Sequence, residues 1–219
     1  MRTITENNLP TSITPTSAQR EAPLILRGIS WQTYENLLTD LGEQSSLRLT
    51  YDQGILEIMT LTPEHESINR YLSSLVDLLV DELGTDVHPV GSSTFKREDI
   101  DRGFEPDSSF YFARAAEMRG KKRIDLEIDP APELVIEIDV SHSSLDKLSI
   151  FTRFGVAEVW RYDGAKIYIY RLVENSFVSQ ENSSIFPALT SSIIEEFLSR
   201  SQTLTRQELR QWVREQMIQ

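Results

Sequence analysis

The sequence predicts an α/β (α+β) protein: a central mixed β-sheet flanked by helices, with an N-terminal β-hairpin and C-terminal helices. Three observations carry this expectation. Residues Glu133 to Val140 show a period of two, with Leu134, Ile136, Ile138 and Val140 on one face and the acids Glu133, Glu137 and Asp139 on the other, as a strand requires. Ile68, Tyr71, Leu72, Leu75, Val76, Leu79 and Leu83 recur at helical spacing and make one apolar stripe. Strand and helix patterns interleave along the chain without a repeat or a linker, an order suited to a mixed sheet covered by helices.

Taken in order, residues 1–23 are rich in Thr, Ser, Asn and Pro and predict a flexible tail, leaving 24–219 as a single domain. Ile29 to Leu38 predicts a short amphipathic helix capped by Ser30, with Trp31, Tyr34, Leu37 and Leu38 on one face. Leu47–Tyr51 and Ile55–Thr60 predict two strands joined by the turn residues Asp52, Gln53 and Gly54. Thr62 as cap and Pro63 at the first helical position open the long helix, and Gly84 ends it. Val87–Phe95 predicts a strand, followed by the charged loop KREDIDRG. Asp107–Phe112 predicts the next strand, followed by the basic loop MRGKKR. After the acidic strand, Ser143 or Ser144 is expected to cap a helix to about Phe154. Glu158–Tyr162 and Lys166–Leu172 then form a hairpin around Asp163-Gly164. Two final helices are signalled by the capping-box patterns Ser192-x-x-Glu195 and Thr205-x-x-Glu208. Their apolar positions Leu204, Leu209, Trp212 and Val213 suit docking on the body or on a second subunit.

Composition narrows the chemistry. The chain has 219 residues and no cysteine, which excludes disulfides, thiolate metal sites and cysteine catalysis. No apolar run reaches the length of a membrane span and the N-terminus has no apolar signal core. A cytoplasmic protein without a membrane partner or an organic cofactor is therefore expected. The net charge of −12 opposes general affinity for polyanions, so nucleic-acid binding would need a local basic surface.

Four elements could carry chemistry. On the acidic strand Glu133, Val135, Glu137 and Asp139 share a face; a solvated sheet face gives the same pattern, but Val135 among the acids suggests partial cover. Asp107, after Pro106 at a strand start, reads as turn chemistry alone. Paired with Glu137 it offers hard oxygen ligands on neighbouring strands, suited to Mg²⁺ or Mn²⁺ and a substrate phosphate. Asp139 would assist or bind a second ion. Lys147, early in the following helix, either faces solvent or turns back to stabilise charge on a phosphate. Glu57 on the hairpin and His65 at the head of the long helix approach the same cleft, or simply mark a capped helix end beside Glu64. His142 reads as a loop residue. Lys96, Arg97, Arg114, Arg119, Lys121, Lys122 and Arg123 could grip phosphates without reading sequence, although Glu98, Asp99 and Asp101 suit an ordinary charged loop equally well.

Together GILEIMTLTPEHESI, FEPDSSF and PELVIEIDVSHSSLDKLSIFTRFGVAEVWRYDG resemble the Uma-type restriction endonuclease family. That family is abundant in cyanobacteria and belongs to the PD-(D/E)XK, restriction-endonuclease-like superfamily. The resemblance covers roughly residues 25–175. It implies a restriction-endonuclease-like core, a metal-dependent nuclease acting on DNA, and Asp107 and Glu137 as the motif acids. By analogy it adds the Ile138 carbonyl as a metal ligand, and it implies a homodimer in which two sites cut two strands. One departure stands out: the motif's lysine position holds Asp139, which a migrated Lys147 would have to replace. The alternative is a catalytically inactive nuclease-fold module that binds nucleic acid or a protein partner.

Overall fold

The computed structural model describes residues 23–42, 47–140 and 145–217. Residues 1–22 of the predicted tail and the cap residues Ser143 and Ser144 lie outside them, as does His142. After β1 (Leu24–Arg27), Ser30 accepts the Thr33 N–H and starts α1 (Trp31–Leu41). Strands β2 (Leu47–Asp52) and β3 (Ile55–Thr60) meet at Gln53 (φ 47°) and Gly54 (φ 86°). Two successive left-handed residues match the twist of a tight hairpin. Thr62 then caps α2 (Pro63–Leu83), which Gly84 ends in the left-handed region.

The run from Val87 to Phe95 does not form the single strand expected. It breaks into β4 (His88–Pro89) and β5 (Phe95–Arg97), which belong to different sheets. Proline inside the run lacks the ladder N–H, and Gly91 turns the chain at φ 58°. The charged KREDIDRG segment is likewise more than a loop. A 3₁₀ turn (Glu98–Ile100) leads into β6 (Arg102–Phe104), which pairs with β5 and β2.

β7 (Ser108–Tyr111), the short α3 (Ala115–Met118) and β8 (Leu134–Ile138) follow. Next come α4 (Lys147–Phe154), β9 (Glu158–Tyr162), β10 (Ile167–Val173), β11 (Ser176–Gln180), α5 (Ser191–Ser201) and α6 (Arg206–Met217). The cap of α4 is Asp146, which accepts the Ser149 N–H, in place of the expected serine. α5 is capped by Thr190 rather than Ser192. The Thr205–Glu208 capping box at α6 forms as predicted.

The strands make two sheets. The five-stranded sheet, β1-β3-β2-β6-β5, is antiparallel throughout and absorbs the hairpin. The six-stranded sheet, β11-β10-β9-β8-β7-β4, is mixed. Its parallel pair is β8–β9, joined through α4 as a parallel pair requires. The period of two on β8 separates its neighbours. Leu134, Ile136 and Ile138 pack in the cluster that contains α2, α5 and α6, whereas Val135 packs with Ile150 and Phe151 of α4. Leu209, Trp212 and Val213 are buried in the first of these clusters, with Leu204 partly buried against it, so the C-terminal helix docks on the body. Among the described residues no helix is long and apolar enough to cross a membrane.

Candidate active site

The β7–β8 ladder ends where the sequence places Pro106. Ser108 pairs with Ile136, so the same register would set Pro106 opposite Ile138. Proline has no N–H to give to the Ile138 carbonyl. Side chains take over: Asp107 Oδ2 accepts the Ile138 N–H at 2.7 Å, and His65 Nε2 lies 3.1 Å from the Ile138 carbonyl oxygen and 3.2 Å from Asp107 Oδ2. Both neighbours of Nε2 are acceptors, which assigns the proton to that nitrogen. Nδ1 is buried without a hydrogen-bond partner among the described residues. Burial pulls the His65 pKa down, but the Asp107 carboxylate outweighs it and the net shift is upward.

Glu137 projects from the opposite face of β8, buried at 3% exposure. Lys147, the first residue of α4, turns back to it, with Nζ 2.7 Å from Glu137 Oε2. Burial raises the Glu137 pKa to about 7, against the pull of Lys147 and His65. The Lys147 ammonium also loses by desolvation, yet the fields of Glu137, Asp107 and Glu57 more than compensate and its pKa moves up. Lys147 therefore stays charged. Glu57, buried on β3, stands on the face opposite Leu56, which packs against α1. Thus His65, Asp107, Glu137 and Lys147 act on one another electrostatically, and Glu57 joins them through the Lys147 ammonium. A small cleft of about 140 Å³ beside them is lined by Glu137, Asp139, Lys147 and Arg161, with Leu145 and Phe151 as apolar wall.

Asp139, at the position of the motif lysine, is bound by Arg161 through both Nε and Nη2. The basic residues singled out in the sequence are mostly paired: Lys96 with Glu35, Arg97 with Asp99, Arg114 with Glu117, Arg119 with Asp86 and Lys121 with Asp129. Lys122 and Arg123 are exposed. Two site residues were not foreseen. Arg161 becomes legible only once β8 and β9 pair in parallel with Glu137 opposite it. Asn69 donates to the Asp107 carbonyl at 3.0 Å and accepts from the Ser108 hydroxyl. Its spacing of four from His65 on the same helix face was the available signal.

Among the described residues, no group of three or more His, Asp and Glu side chains is arranged to hold a metal ion by itself. The donor set still suits Mg²⁺, which needs few protein oxygens and keeps waters and substrate phosphate as its other ligands. Asp107 Oδ2 and the Ile138 carbonyl already converge on one hydrogen-bond donor, the His65 Nε2–H group.

This mixed sheet, with buried acids and a lysine where a strand end meets a helix, has the restriction-endonuclease-like fold. A solved structure described as "a putative nuclease belonging to DUF820 from Anabaena variabilis" superposes with a TM-score of 0.52, covering 77% of this chain and 98% of that one at 16% identity. The sequence profile of the Uma2 family, described as "putative restriction endonuclease", matches residues 31–214, and the chain belongs to that family. No curated protein matches it in sequence.

Proposed function

We propose that the protein is a divalent-metal-dependent endonuclease that hydrolyses DNA phosphodiester bonds at the Asp107–Glu137 centre. The observation that supports this most is the part-buried Lys147 amine 2.7 Å from the buried Glu137, a cation supplied from the helix although the strand itself offers Asp139. An ion pair with a buried carboxylate is retained at a desolvation cost that a purely structural role meets more cheaply with an apolar pair.

Asp107, Glu137 and the Ile138 carbonyl would hold Mg²⁺, with Mn²⁺ as a substitute. Bound there, the ion supplies Lewis-acid stabilisation of the phosphoryl group. Lys147 offers its remaining N–H donors to the phosphate oxygens or to the attacking water, and its charge opposes the negative charge that builds up at phosphorus. Glu57 helps to keep that amine protonated. The His65 N–H fixes the orientation of Asp107 and of the Ile138 carbonyl, as an outer partner of a metal ligand does. Asp139 orients Arg161.

Calorimetric titration of Mg²⁺ and Mn²⁺, followed by plasmid nicking on the same samples, tests the reading. Wild type should bind metal and nick, and Asp107→Ala/Glu137→Ala should do neither. Metal binding without nicking would favour an inactive nuclease-fold module. Absence of metal binding in wild type would overturn the mechanism.

A further inference from the structure

The sheet face that carries Glu137 continues beyond the cleavage centre. Glu137 stands opposite Arg161 in the β8–β9 register, and Arg161 stands opposite Tyr168 in the β9–β10 register. The three side chains therefore form one row across adjacent strands, and the outer backbones are about 10 Å apart at ordinary strand spacing. Arg161 is held by Asp139 through Nε and Nη2, with its side chain 36% exposed. Tyr168 is half-buried. The turn that joins its strand to β9 is fixed by Asp163, which accepts the N–H groups of Ala165 and Lys166. Its ring lies against that of Tyr170, centroids 6.2 Å apart and planes 19° from parallel. Tyr168 and Tyr170 take no part in the hydrolytic centre, and Arg161 borders its cleft without a role in the hydrolysis itself.

A guanidinium fixed by Asp139, followed by a partly exposed aromatic ring beside a second one, is the chemistry that takes a phosphate and then a base. We propose that Arg161 and Tyr168 form a nucleotide subsite beside the cleavage centre, resting on the nuclease reading above. Arg161 meets a phosphate flanking the scissile one, and Tyr168, backed by Tyr170, stacks an unpaired nucleobase. The preferred substrate is then single-stranded at that position, because paired bases already stack on one another and present no free face. The charge pattern favours this mode of grip. With a net charge of −12 and most of the basic loop residues tied to acids, phosphate contacts alone are weak. Stacking is tolerant of sequence and does not depend on net charge.

The test is fluorescence anisotropy of a labelled oligothymidylate, its ribose counterpart and a duplex, without added metal, for wild type, Tyr168→Ala and Tyr168→Phe. Wild type should bind a single strand more tightly than the duplex. Tyr168→Ala should weaken that binding by roughly ten- to a hundredfold at every salt concentration, leaving the salt slope unchanged. Tyr168→Phe should bind nearly as wild type, which separates stacking from a fold defect. Tight binding of either single strand supports the subsite, and the preferred sugar names the substrate. Equal single-strand affinity of wild type and Tyr168→Ala overturns it, as does preference for the duplex. If wild type nicks plasmid while Tyr168→Ala binds unchanged, the subsite fails and the nuclease reading stands. If wild type neither nicks nor binds, both fail.

Discussion

Glu137 is a buried carboxyl whose ordinary pKa of 4.5 is raised to about 7, chiefly by desolvation. The metal-free protein therefore takes up a proton there as pH falls through 7, whereas a metal ligand must be ionised. The raised pKa of His65 acts in the same direction, because a positive ring beside Asp107 repels a cation. Mg²⁺ affinity should rise as pH rises and level off above about 8. With one linked proton it falls about tenfold between pH 8 and pH 6. Titrations at the two pH values check this, and a pH-independent affinity would contradict the assignment. The candidate acids Asp107 and Glu137 were legible in the sequence because motif and strand period are local. The Arg161 partner of Asp139 was not, because it depends on a parallel register that no local pattern reveals.

At the scale of elements, the five-stranded sheet is fixed by one close approach. A Cβ placed on Gly103 of β6 would lie 2.2 Å from the Tyr34 hydroxyl, and the Tyr34 ring is fully buried and stacked on Tyr51 at 4.9 Å. Gly103→Ala should thus destabilise the protein by about 1–3 kcal/mol through overpacking, read as a lower midpoint in urea with little change in slope. An unchanged midpoint would mean that α1 yields freely. This contact also explains what the sequence concealed. Helices α1 and α2 announce themselves through Ser30, Thr62 and Gly84, which cap within a single turn. β6 hides inside a charged run because its pairing with β2 joins residues far apart in sequence, Tyr51 with Gly103. β5 and β4 were merged because an apolar run does not state which sheet each half joins. The edge strands β1 and β11 were missed for a related reason: they are short and contain no buried residue, so burial imposes little pattern on them.

Across the whole molecule, the two sheets bring together groups from β3, α2, the start of β7, β8 and α4, and that convergence is what a nuclease reading requires. The fold class was legible because strand and helix periods alternate along the chain. The convergence of His65 and Lys147 on Glu137 was legible only as a set of motifs, since no spacing fixes where α4 points. The migrated lysine is the central claim, so nicking of supercoiled plasmid by Lys147→Ala, with Mg²⁺ occupancy confirmed by calorimetry on the same sample, tests it most directly. The account predicts retained metal binding with nicking reduced by about a hundredfold or more, the scale of losing one positioned charge donor. Wild-type nicking by Lys147→Ala would contradict it.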